Sequence, residues 1–307
     1  MLAVNSSTAI ARSSNPSRHD SGRRKANLAP SGGFNPRLTD TAIYALVKFL
    51  KTMQSLLSYR ELIRNLVLKD LKLKYRDSTI GFLWSLANPL LLIVVYSFVF
   101  SRMLRVNIAH FPLFLLVGIL PWNFFATSLL MSTGSVVENG QLIRKVWLPI
   151  EVFPIATVLF NLAQFLLALA VLLPTSLLFF QSSLTASWIA FLPVLFLQVL
   201  FTLGVCFFLS TATVFYRDVK HFSEVFLMLL FWLTPVVYDI RTLPESLRAV
   251  VFLNPVSLYI ASYQDIFYRQ TFPDASSLAI QCFLSLASLS LGYLFFRRYK
   301  RRFAEEV

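Results

Sequence analysis

Beyond residue 80 the chain runs through long windows in which charged residues are absent or confined to the edges. Six such runs stand out, at 81–100 (GFLWSLANPLLLIVVYSFVF), 111–137, 152–180, 188–215, 222–238 and 278–296. An α-helix rises ~1.5 Å per residue, so about twenty apolar residues cover the ~30 Å hydrocarbon layer of a bilayer. The pattern predicts an all-α, polytopic membrane protein with six transmembrane helices. Asn88-Pro89, Pro121, Pro154, Pro174 and Pro193 fall within these runs and are expected to interrupt or kink them.

Upstream the pattern differs. Residues 1–40 are rich in Ser, Asn, Arg, Pro and Gly and hold no apolar run, which reads as a disordered cytoplasmic tail. From 41 to 75, Ile43, Leu46, Val47, Leu50, Met53 and Leu57 recur at three- and four-residue steps, and the remaining positions carry Lys48, Lys51, Arg60, Arg64, Lys69, Lys72 and Lys74. An apolar stripe beside so many cations predicts an amphipathic helix lying at the membrane interface against anionic lipid.

Two segments break the hydrophobic rhythm. Between the second and third runs, residues 138–150 (ENGQLIRKVWLPI) are bounded by Asn139-Gly140 and Leu148-Pro149, both helix-ending signals. Leu142, Ile143, Val146 and Trp147 fall on one side of a short helix there, and Arg144 and Lys145 on the other. Such a helix suits docking onto another surface, whereas a plain polar loop has no need of the apolar stripe. Between the fifth and sixth runs, residues 239–274 are too long for a turn and too apolar for a free loop. Pro244 and Asn254-Pro255 divide them into two short helices expected to dip back into the bundle on the periplasmic side, with the re-entrant element at 241–258.

Composition supports a membrane protein: 56% of the 307 residues are hydrophobic and 14% charged, with 30 Phe and a mean hydropathy of +0.65. The net charge of +13 does not indicate nucleic acid, because the cations flank the apolar runs instead of forming one patch. Seventeen Lys and Arg fall on the side of the 41–81 segment, the 138–150 and 216–222 loops and the C-terminal tail, against five on the other side (Arg102, Arg105, Arg241, Arg248 and Arg269). The positive-inside rule places both termini in the cytoplasm.

The candidate chemistry is sparse. With nine glycines there is no phosphate-binding G-x-x-x-x-G-K-[ST] and no G-x-G-x-x-G, so no nucleotide cofactor is expected in this chain. His19, His110 and His221 are isolated, and Cys206 and Cys282 lie in apolar runs without metal or redox spacing. The runs hold neutral polar residues such as Asn88, Asn161, Gln164 and Gln198, with no acidic residue at the centre of a run, which argues against a proton-coupled carrier. A membrane transferase acting on lipid phosphates stays open through Asp70, Asp77 and Asp218, although each stands beside Lys or Arg.

Four stretches together carry a family resemblance: RDSTIGFLWSLANPLLLIVVYSFVFS at 76–101, FPLFLLVGILPWNFF at 111–125, VENGQLIRKVWLPIEVFPI at 137–155 and LPESLRAVVFLNPVSLYIASYQDIFYRQTFPD at 243–274. In this order the chain resembles the membrane permease of type-2 ABC exporters, in the polysaccharide and polyol-phosphate export branch. The resemblance implies a homodimer in the bacterial inner membrane with two copies of a separate ATPase that binds ATP and Mg, moving lipid-linked polysaccharide (O-antigen, capsule or teichoic acid) outward. It casts Gln141, Leu142, Ile143, Arg144, Lys145, Val146 and Trp147 as the coupling or gate helix that meets the ATPase. It casts the 41–75 segment as an interface helix and the re-entrant pair as a periplasmic gate. Aromatic faces stack on sugars, so Tyr96, Phe100, Trp122, Phe125, Tyr238, Tyr259 and Tyr263 are the candidates for a channel lining; aromatics facing lipid or the headgroup belt are the competing reading. A type-2 permease for a drug or small lipid would share this topology.

Overall fold

The computed structural model describes residues 58–75, 108–146, 148–179 and 185–307, with isolated positions between 91 and 99. The tail at 1–40, the start of the predicted interface helix, most of the 81–100 run, Asp77 and Trp147 lie outside the described residues. The elements are α1 (Arg60–Tyr75), α2 (Phe111–Ser135), α3 (Gly140–Lys145), α4 (Val152–Phe179), α5 (Phe191–Phe215), α6 (Val219–Leu233), α7 (Glu245–Leu253), α8 (Pro255–Tyr263), α9 (Ala275–Tyr299) and α10 (Phe303–Glu306). Among the described residues, four helical stretches are long and apolar enough to cross a membrane: Phe111–Ser135, Val152–Ala170, Ala186–Phe215 and Ala275–Arg302.

Pro154 and Pro193 stand in the first turns of their helices. Each is the third residue of its helix, α4 and α5 respectively, where a backbone N–H has no intrahelical acceptor and proline costs little. Pro121 and Pro174 do lie inside α2 and α4.

The closest pair of helices is α5 and α9. Their contacts climb in step: the Ser285 hydroxyl donates to the Leu197 carbonyl (2.8 Å) and Ser288 to Phe201 (2.9 Å), Phe208 meets Phe295 (5.0 Å) and Phe215 meets Tyr299 (5.5 Å). The two helices therefore run parallel. Between Gly204 and Gly292 the backbones touch, and a Cβ added to either would overlap main-chain atoms of the other helix. Helix α2 also runs parallel to α5, with the Gln198 amide donating to the Pro121 carbonyl (3.0 Å) and the Cys206 thiol to Ser128 (3.5 Å). It runs antiparallel to α4, through Phe124 on Phe165 (5.8 Å) and Asn161 on the Met131 sulfur (3.5 Å). Helix α1 packs along α4, with Leu62, Ile63 and Leu66 against the core.

Because α5 and α9 are parallel, the chain must return to the starting end between them. The run at 222–238 predicts one crossing helix for this, but α6 spans 15 residues, ~22 Å, short of the hydrocarbon thickness. It stops at Thr234, which is extended (φ −96°, ψ 135°) because the ring of Pro235 disfavours helical geometry in the residue before it. Phe231 packs on Trp122 (5.6 Å) and Val236 lies against Gly118, so the break falls about seven to eleven residues into α2, ~10–16 Å from that helix's start. Buried backbone at such a break needs partners. The Asn254 amide donates to the Thr234 hydroxyl (2.8 Å) and the Gln264 amide to the Pro235 carbonyl (2.6 Å).

The chain then forms α7 and returns between its neighbours at Asn254, whose side chain caps α8 by accepting from the Val256 N–H (3.0 Å), with Pro255 at the first helical position. Tyr259 of α8 lies against Phe201 (5.5 Å) and Tyr263 against Phe191 (6.1 Å). Helix α8 thus starts deep between its neighbours and runs toward the end of the bundle where α2 and α5 begin. Helix α6 leaves Phe222, Val225, Phe226, Met228, Leu229 and Trp232 exposed, apolar surface that suits lipid or an apolar partner.

Replacing Gly292 with Val forces apart the two parallel helices. We expect a loss of ~2–3 kcal/mol or more, the usual penalty for overpacking a filled core, read as lost monodisperse protein and a lower unfolding temperature in detergent. Ser288→Gly, which removes a hydroxyl without adding bulk, is expected to keep the protein folded.

Candidate functional site

The candidate segment at 138–150 is built where α2 ends. Its last turns bond to themselves: Ser132 and Ser135 donate to the carbonyls three residues back (both 2.8 Å), and the Asn139 amide donates to Ser135 (2.8 Å). After one 3₁₀ turn at Val137–Asn139 the chain forms α3, six residues long. Leu142 and Ile143 are half-buried, while Gln141, Arg144 and Lys145 are exposed. Val146 departs from the expected apolar stripe: it lies past the helix end, extended (φ −128°, ψ 131°) and exposed, because α3 stops at Lys145 and cannot carry it onto the inner face.

The C-terminal segment docks on this helix. Phe303 is fully buried against Phe296 (5.2 Å) and Phe215 (6.2 Å), which brings α10 to α3. The Arg144 guanidinium donates to the carbonyl oxygen of Val307, and Gly140 has no side chain where the Val307 methyl packs. A cleft of about 420 Å³ opens between them, lined by Glu138, Gln141, Leu142, Arg144 and Val307 among others. Just past α3, Glu151 is buried (1% exposed) and receives the Lys300 ammonium at 2.5 Å. The segment around α3 is therefore tied to the end of α9 by an ion pair, a backbone hydrogen bond and an aromatic anchor. Sequence reading missed this because Lys300 and Phe303 fall in a tail that reads only as a cationic flank.

The cations of α1 are also drawn inward. Lys74 donates to the Gln164 amide oxygen and lies 5.8 Å from the centre of the Phe160 ring, and partial burial lowers its ammonium pKa below the usual lysine range. Gln164 is twelve residues into α4, so the end of α1 packs beside that helix well past its first turns. Asp70 is 3.4 Å from Lys69, and Asp218 is exposed at the start of α6. Among the described residues no three His, Cys, Asp or Glu side chains gather closely enough to hold a metal.

The aromatic candidates divide by position. Trp122, Phe125, Tyr259 and Tyr263 are all buried inside the protomer, Tyr238 is half-buried, and Tyr96 and Phe100 lie outside the described residues. Tyr259 and Tyr263 belong to a polar network that holds α8. The Tyr263 hydroxyl donates to the Gln198 carbonyl oxygen (2.7 Å) while the Gln198 amide reaches α2. The Tyr259 hydroxyl pairs with Ser285 (2.7 Å), and the Gln281 amide donates to the Ser262 hydroxyl (2.7 Å) and the Leu258 carbonyl (3.1 Å). Gln281 and Ser285 carry this network from α9, and only their four-residue spacing inside an apolar run marks them in the sequence.

A bundle of apolar helices, joined by buried side-chain amides and small residues, with a short cationic helix at one end, defines a polytopic helical membrane protein. Residues 61–268 match the ABC-2 type transporter family, and the chain belongs to it. It is 35% identical over 262 residues to a protein of Myxococcus xanthus named O-antigen export system permease protein RfbA, covering 84% of this chain and 100% of that one. A protein of the same name in Klebsiella pneumoniae is 34% identical over 238 residues, 77% of this chain and 91% of the relative.

Tyr263→Phe removes the donor to Gln198 and leaves a buried amide oxygen unpaired, an arrangement that costs ~1–3 kcal/mol. Thermal unfolding in detergent should show the loss, and combining it with Gln198→Leu should cost less than the two single changes added together.

Proposed function

We propose that this chain is the permease subunit of an ATP-driven exporter of lipid-linked polysaccharide, with O-antigen the foremost candidate polymer. The observation that carries the reading is the likeness to O-antigen export permeases over more than three quarters of this chain and nearly all of each relative. The family assignment supports a transport subunit, and the absence of a phosphate-binding loop from the sequence supports ATP and Mg being held by a separate subunit. Two copies of the chain, in the bacterial inner membrane with both termini cytoplasmic, would pair with two ATPase subunits and enclose a channel at the dimer axis.

In this scheme α3 and the adjoining Trp147 take the stroke of the ATPase. Arg144 and Lys145 face outward from α3, where they can meet acidic groups of the partner or substrate phosphate with charge-assisted hydrogen bonds. The outer gate falls to the segment around α7 and α8. The burial of Tyr259 and Tyr263 gives them a part in holding that gate closed, and sugar contact then requires α8 to move, a two-state shift of packed helices. A permease for a drug or small lipid is the second reading. The transferase is disfavoured by the exposed position of Asp218 and the pairing of Asp70 with Lys69.

The test is co-expression with the ATPase encoded beside this chain. The two should copurify, and lipid-linked glycan should raise ATP hydrolysis; stimulation by small amphiphiles alone would favour the second reading. Arg144→Glu with Lys145→Glu should cut surface glycan by about tenfold or more, ~1.4 kcal/mol of coupling, at unchanged protein level, and normal export by that variant would remove the docking role.

A further inference from the structure

The outer end of the bundle holds a second pocket that this transport scheme leaves unused. Its volume is about 220 Å³, and Arg241, Arg248, Arg269 and Asp265 all line it. Three guanidinium groups converge from three separate segments: the turn at Ile240–Thr242, helix α7, and the chain just after the π-helical segment Gln264–Tyr268.

The charges do not cancel. Arg269 is nearly buried and bridges Asp265 (2.9 Å) and Asp239 (2.5 Å). Arg241 shares Asp265 at 3.0 Å, yet its side chain is 60% exposed. Arg248 has no carboxylate among the described residues. Its Nη2 donates to the carbonyls of Arg241 (3.1 Å) and Leu243 (3.2 Å), and its Nε is buried without an acceptor. Three cations therefore face two carboxylates, one of which, Asp239, stands behind the pocket. Guanidinium groups so arranged match the oxygens of a phosphate group.

The rim adds a second requirement. Phe252, Ile240, Leu258 and Ala261 line the pocket beside the arginines, and Phe252 is 38% exposed. An apolar wall next to guanidinium groups, partly bare to water, suits a phosphate carried on an acyl or isoprenoid chain. A free anion would satisfy the arginines and leave Phe252 bare.

We propose that this pocket binds the phosphate of an anionic membrane lipid, with Arg241 and Arg248 contacting the phosphate and Phe252 carrying the first carbons of its chain. Arg269 acts as a positioning residue, holding Asp265 and the surrounding turn in place. The site stands independently of which polymer the protein exports.

The full chain is reconstituted in phosphatidylcholine nanodiscs doped with either phosphatidylglycerol or a polyprenyl phosphate, and lipid retained after extraction is counted by native mass spectrometry. Retention of either anionic lipid over phosphatidylcholine, reduced about tenfold by Arg248→Gln and by Arg241→Gln, is the expected result. The first is a phosphodiester on a diacylglycerol and the second a phosphomonoester on a single isoprenoid chain, so their relative retention names the class of lipid that supplies the phosphate. Arg248 also ties the turn at Arg241 and Leu243, so a misfolded Arg248→Gln leaves the decision to Arg241→Gln, whose exposed side chain can be lost without disturbing Arg269 on Asp265. Phe252→Ser should weaken lipid retention while leaving competition by inorganic phosphate unaffected. Equal retention by the wild type and Arg241→Gln, or binding of inorganic phosphate with no lipid retained, overturns the proposal.

Discussion

Helices in a bilayer gain nothing from hiding leucine from lipid, so their association depends on close packing and on polar groups that find no partner in the hydrocarbon. Here the contact of Gly204 with Gly292 supplies the first. It sets α5 and α9 in parallel, and that direction dictates the remaining path: the chain has to leave and return between them. Ser285 and Ser288 then reach carbonyls of α5, fixing the register that two glycines alone leave free to slide. Neither helix can shift without the other, which makes the pair a natural rigid body against which α2, α6 and α8 are placed.

The polar side chains at the centre of the bundle serve structure more directly than transport. Gln198 alone joins α2, α5 and α8 through Pro121 and Tyr263. Gln281 and Ser285 do the same between α8 and α9. Such groups are costly in hydrocarbon unless paired, so the network specifies one seating for a short helix that has little apolar length of its own. At the other end, Lys300 on Glu151 and Phe303 beneath Phe215 give α3 a comparable attachment. These contacts join that small helix to the end of α9, and the glycine contact joins α9 to α5.

Much of this architecture was legible from hydropathy because its signal is length and continuity. Four of the predicted runs correspond to helices whose limits differ by a few residues, and Asn254-Pro255 marks a real junction. The 222–238 run misled because hydropathy averages over Thr234-Pro235, whereas the local rule that a residue before proline avoids helical geometry is satisfied at a single position. The buried tyrosines show a different limit. An aromatic ring suits a sugar, a lipid or a core equally, and only the partners of its hydroxyl distinguish them. The tail that braces α3 had no periodic signal at all, because it acts through three single contacts from residues 300, 303 and 307.

The broken return path has a further electrostatic meaning. Helix α6 ends inside the bundle, and α8 begins there and continues in the same direction, with Asn254 bonded to Thr234 across the gap. The carbonyl end of a helix carries roughly half a negative charge and the amide end of the next roughly half a positive one. Facing each other here, the two ends form a head-to-tail pair of dipoles, and each lowers the cost of burying the other. Drawing α8 away would expose two uncompensated partial charges in a medium of low dielectric. Separating α8 from α6 therefore carries an electrostatic cost set by the backbone itself.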